Sequence, residues 1–88
     1  MKTIHKYQLE IKGLQHVKMA SHAKILSLQL QGGVPCIWAE VDSSNGMSQR
    51  TFEMYGTGHP FKDDLDRSHI GTVIIEGLVW HYYEHIPF

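Results

Sequence analysis

The chain has 88 residues, 42% of them hydrophobic, which fits one small globular domain and argues against disorder. Eight basic residues against nine acidic ones give a formal net charge of −1, which counts against a general nucleic-acid surface. Cys36 is the sole cysteine, so a disulfide framework is excluded and a reducing compartment is favoured.

A domain this short buries only about 60–65% of the surface its unfolded chain exposes, so its core is thin and a homo-oligomer is expected. Period-two alternation runs through the sequence. In "TIHKYQLEI", Tyr7, Leu9 and Ile11 fall on one face of a predicted strand that Gly13 ends. "HVKM" pairs Val17 with Met19, and "ASHA" reads as a turn. "KILSLQLQ" sets Leu26, Leu28 and Leu30 against Ser27, Gln29 and Gln31.

Gly32-Gly33 then joins this strand to "VPCIWAEVD" in a predicted hairpin, because both positions tolerate positive φ. Pro35 near the start of the second strand points to an edge or a bulge. Cys36, inside this apolar run, reads as an inert core residue rather than a reactive thiol. Asn45-Gly46 marks a turn. "SQRTFEMYG" alternates Phe52 and Met54 with Thr51, Glu53 and Tyr55, and "TGHPFKDDLDRSH" reads as the longest loop. "IGTVII" and "LVWHYYEHI", separated by Glu76-Gly77, form a closing hairpin. The expected fold is all-β, a small antiparallel sandwich or barrel of six to seven short strands spanning residues 1–88.

The candidate chemistry is sparse. His81 and His85 share a strand face but lie about 13 Å apart at the usual rise, too far for one metal ion to bridge. No G-x-S-x-G elbow is present, and Asp63-Asp64 sits on a polar loop, so no enzyme activity is expected. "MKTIHKYQLE" lacks a signal-peptide core, and no apolar run approaches the roughly 20 residues of a membrane span; an intracellular protein without a membrane partner is expected.

Charge is unevenly placed. Lys2, Lys6, Lys12, Lys18 and Lys24 face only Glu10 in the early chain, while Asp63, Asp64 and Asp66 crowd one loop. "GTGHP" is no P-loop, since it has no G-K-[ST]. Gly56 and Gly58 nevertheless permit an anion-binding nest, to which Thr57 and His59 add donors; the competing reading is a tight turn leaving the strand. The last strand carries Trp80 and Tyr82 on one face and Val79, His81 and Tyr83 on the other, leaving one bulky face for a subunit, a ligand or water.

The order "AKILSLQLQGGVPCIWAEVD", "RTFEMYGTGHPF" with "DDLD", then "IGTV", opened by "MKTIHKYQLEI", resembles a family of small uncharacterised proteins encoded by tailed bacteriophages. The resemblance covers nearly the whole chain. It implies a phage accessory protein made in the host bacterial cytoplasm, and no settled activity. The expected function is non-catalytic counteraction of host defence by sequestering a small nucleotide-derived signal. In that reading Gly56, Thr57 and Gly58 supply donors, Arg50 or His59 contacts phosphate, and Trp38 or Tyr55 stacks on a base. The alternatives are a direct protein inhibitor of a host defence enzyme, using the aromatic strand and the acidic loop, and a structural phage protein.

Overall fold

A computed structural model describes residues 1–61 and 66–86. Among these residues are seven strands: β1 (Lys2–Gln8), β2 (Leu14–Ala20), β3 (Lys24–Gln31), β4 (Val34–Asp42), β5 (Met47–Gly56), β6 (Arg67–Ile75) and β7 (Leu78–His85), with a 3-10 turn over Ser43–Asn45. Every pairing is antiparallel, in a three-stranded sheet of order β1-β4-β3 and a four-stranded sheet of order β2-β5-β7-β6. The all-β expectation of six to seven strands holds, as a sandwich.

Alternation decides which side of each strand meets the other sheet. Ile37, Ala39 and Val41 from β4 face Phe52, Val73 and Tyr82 from the four-stranded sheet, and all are buried. Odd residues of β5 and β7 therefore point outward from the four-stranded sheet, and even residues of β4 point outward from the other. Both short hairpins have two positive-φ residues in the turn. Gly32 and Gly33 sit at φ 57° and 79°, Glu76 and Gly77 at 51° and 81°, the I′ geometry whose twist matches the strands it joins.

Four local expectations are corrected. β1 ends at Gln8, so Leu9 still reaches the core while Ile11 is exposed in the bend that follows. A bulge between Ile25 and Ser27 resets the alternation of β3. Ile25 and Leu28 face inward, Leu26 is exposed, and Leu30 lies at the rim beside the hairpin. Pro35 is not on an edge: β4 is the central strand of its sheet. The Pro35 carbonyl accepts from the Leu9 N–H at 2.8 Å, so the N–H that proline lacks would also point toward β1, at the end where that strand stops. Finally, Arg67, Ser68 and His69 belong to β6 rather than to the loop, while the expected loop residues Asp63 and Asp64, and the terminal Phe88, lie outside the described residues.

The crossover between the sheets, residues 9–13, is held from below. Gln15 is buried; its Oε1 accepts from the Glu10 N–H and its Nε2 donates to the Glu10 carbonyl, both at 2.8 Å. The hydroxyl of the fully buried Tyr82 donates to the same carbonyl at 3.0 Å. Burial pushes the Tyr82 phenol up to about 12. A folded pKa above the unfolded value near 10 means that this contribution is complete below pH 10 and is lost as pH rises through 12. Alkaline destabilisation on the order of 2 kcal/mol is expected across that window. Urea titrations at stepped pH should show a steeper alkaline slope in the parent protein than in Tyr82→Phe.

Candidate functional site

"GTGHP" closes β5 as a β-turn. The His59 N–H donates to the Gly56 carbonyl at 3.0 Å, and Gly58, third in the turn, sits at φ 86° while Thr57 does not share that sign, the type II pattern that requires glycine there. The His59 ring folds back over the turn. Its Nδ1 accepts from the Gly56 N–H at 3.3 Å, and its centroid lies 6.1 Å from that of Trp80. A Cβ on Gly56 would stand 2.8 Å from the His59 ring and 3.2 Å from Trp80, so the glycine makes room for this cap. One of the N–H groups expected to face an anion is thus turned to His59.

Beyond the turn, the outer face of the four-stranded sheet carries a chain of hydroxyls and imidazoles. Thr57 Oγ1 meets His81 Nε2 at 2.8 Å, Thr72 Oγ1 meets His81 Nδ1 at 2.9 Å, and His69 Nε2 meets Thr72 Oγ1 at 3.1 Å. Cross-strand register explains the assembly: Tyr55 and Thr72 both stand opposite His81, and His69 opposite Tyr83. Aromatic rings continue the surface. Phe61 lies 4.8 Å from Tyr55 and 5.6 Å from Tyr83, and His69 lies 5.2 Å from Tyr83, in tilted or edge arrangements. A shallow cavity of about 220 Å³ opens among Tyr55, Thr57, His59, Phe61, His81 and Tyr83.

Under these rings lies a charge cluster centred on Glu53. Its carboxylate accepts from Tyr55 Oη and from Arg67 Nε, each at 2.5 Å. His85 Nε2 is 2.8 Å from Oε1, close enough for an ion pair when the ring is protonated although not aligned as a hydrogen bond. Burial pushes the Glu53 carboxyl up, but the hydrogen bonds from Tyr55 and Arg67, with His85 close beside it, outweigh it and hold the group below the usual range. Burial, then the bond to Glu53, raises the Tyr55 phenol. The Arg67 guanidinium also stacks under the rings, its carbon 5.3 Å from the Phe61 centroid and 5.9 Å from that of Tyr55.

Tyr55, Gly56, Thr57, Gly58 and His59 therefore gather at one place. Arg50 and Trp38 do not join them. Arg50 is an even residue of β5 and points between the sheets, where its guanidinium grips both oxygens of Glu84 and donates to the Ala23 carbonyl at 2.5 Å. That pair lines a separate, larger hollow of about 790 Å³ at the mouth of the sandwich, beside Ser21, His22 and Ser48. Trp38 stands on the outer face of the other sheet, opposite Lys6 and Ser27. His81 and His85 engage different groups, Thr57 and Thr72 in one case and Glu53 in the other. Sequence reasoning missed Glu53, Phe61, Arg67, His69 and Thr72. The alternation Glu53, Tyr55, Thr57 on one strand face was the available signal.

A family model described as Domain of unknown function (DUF7352) matches residues 1–87. Comparisons with curated proteins and with solved structures give no match.

Proposed function

The chain belongs to the DUF7352 family, and we propose that it acts by non-catalytic binding, engaging a host protein through the outer face of its four-stranded sheet. The phage resemblance supplies the setting, counteraction of host defence. The observation that carries the reading is the aromatic surface of Tyr55, Phe61, Tyr83 and His69 laid over an internally neutralised Glu53–Arg67 pair. A face needing only solvation is served by long charged side chains, whereas aromatic residues and arginine mark the centres of protein interfaces.

Sequestration of a small nucleotide-derived signal is the second reading, supported by the hydrogen-bonding groups around the cavity at Thr57 and His81. It ranks lower on two grounds. The cavity of about 220 Å³ is smaller than the roughly 300–1,000 Å³ of small-molecule sites. Arg50, the cation meant for phosphate, is committed to Glu84 elsewhere.

The protein as bait in bacterial lysate should retain a partner that Phe61→Ser and Tyr83→Ser each release at least tenfold, the loss of an interface anchor, while Lys12→Ala keeps it. Retention indifferent to both serine variants would count against the face. In parallel, thermal stability should not move with cyclic nucleotides or ADP-ribose derivatives. A rise of about 2.7 kcal/mol at a hundredfold excess over Kd, lost in Thr57→Val, would reverse the order of the two readings.

A further inference from the structure

The three-stranded sheet has its own outer face, and its side chains follow from the register. Lys6, Trp38 and Ser27 form one row across β1, β4 and β3. Ile4, Glu40 and Lys24 form the next, and Gln8, Cys36 and Gln29 the one on the other side. Trp38 is half-buried in the middle strand, with exposed Ile4 and Leu26 nearby on the neighbouring strands. Adjacent strands lie about 4.8 Å apart, so Lys6 and Lys24 flank the indole within one or two spacings.

Charge on this face leans basic: Lys2, Lys6, Lys24 and the N-terminal ammonium stand against Glu40 and Asp42, and the Lys6 ammonium also donates to Gln31 at 2.7 Å. Asp42 is already engaged: the Ser44 hydroxyl and N–H and the N-terminal ammonium hold its carboxylate. Glu40 is reached only loosely, by Lys2 at 3.8 Å. The whole-chain charge of −1 averages this surface with Glu53, Glu84 and Asp66, which sit on or beside the four-stranded sheet.

We propose that this face is a second site, a platform for single-stranded nucleic acid in which Trp38 stacks on a base while Lys2, Lys6 and Lys24 contact phosphates. Lysines alone would fit any acidic partner. A central indole with glutamine side chains around it adds what unpaired bases offer, a π face and hydrogen-bonding edges. A duplex hides its base faces and gains only the electrostatic share. The site uses the opposite layer from the aromatic surface of the four-stranded sheet and stands independently of it.

The test is fluorescence anisotropy of a labelled oligothymidylate of about ten nucleotides, titrated with the intact protein to about 100 µM, the weak end of non-specific binding. Saturable binding is expected. It should weaken roughly 20-fold between about 50 and about 200 mM salt, as three phosphate contacts on a single strand require. Trp38→Ala, or the pair Lys6→Glu and Lys24→Glu, should weaken it about tenfold or more. Lys18→Glu, a charge reversal on the other sheet, should leave it unchanged, whereas Lys6→Glu alone should weaken it. Trp38→Phe keeps a ring and guards against a folding defect; it should retain more affinity than Trp38→Ala, with equal circular dichroism. Equal affinity for a duplex of the same length, binding indifferent to Trp38→Ala, or no anisotropy change would overturn the proposal.

Discussion

Replacing Gln15 with leucine is expected to destabilise the fold by about 3 kcal/mol. The leucine fills the buried position but leaves the part-buried Glu10 N–H without its acceptor, a loss of about 1–3 kcal/mol, and removes the second Gln15 bond as well. Tyr82 still serves the Glu10 carbonyl, so the donor dominates the loss. For a domain whose total stability is on the order of 4–13 kcal/mol, this is a large share. The thermal midpoint should fall by roughly 12–24 °C, at about 4–8 °C per kcal/mol for a domain of this size. Gln15→Glu, tested above its pKa, should be worse because it loses the donor to the carbonyl and buries a charge. A leucine variant within about 0.5 kcal/mol of the parent would show that the crossover is held by other means.

Gly71→Val is expected to cost a similar amount for the opposite reason. Gly71 faces inward on β6, where a Cβ would lie 2.9 Å from both Cβ and Cδ2 of Leu28 on β3. The bare backbone is what lets the two sheets approach at this seam. Adding a branched side chain forces either Leu28 or the strand to move, and overpacking of this kind costs about 1–3 kcal/mol or somewhat more. Leu28→Ala alone should cost about 2–5 kcal/mol by leaving a cavity. Combined, the two changes should cost at least 1 kcal/mol less than their sum, because the valine refills the space. Strict additivity in denaturant titrations would mean that the seam relaxes without Leu28.

The strand pattern of this protein was legible because its determinants are local. Alternation, Gly32-Gly33 and Glu76-Gly77 are read within a few residues, and each marks a strand or a two-residue turn in the structure. Strand order is set by contacts between distant segments, and it decided the rest. Pro35 pointed to an edge or a bulge because those are the usual places for proline in a strand; the early end of β1 frees it to sit in the middle. Arg50 was expected to contact phosphate beside Gly56. Its even position on β5 instead turns it inward, to a carboxylate 34 residues away. Tyr55, Thr57 and His59 could be grouped because one short segment carries them. Arg67 and His69 arrive on a strand that began earlier than its apolar pattern indicated, since the start of β6 faces polar partners on β5 and β7.

The arrangement around Cys36 turns the molecule into its own clock. The thiol is completely buried; Gln8 and Gln29 stand opposite Cys36 in register, and on the same sheet the Lys6 ammonium donates to Gln31 at 2.7 Å. An alkylating reagent can therefore reach the sulfur only when the three-stranded sheet opens. With closing faster than labelling, the modification rate equals the rate for a free thiol scaled by the open fraction. A stability of roughly 4–13 kcal/mol slows labelling by about three orders of magnitude or more if opening is global. Much faster labelling, quickened further by Lys6→Ala, would mean that β1 peels away by itself, and the ratio of the two rates would measure how often it does.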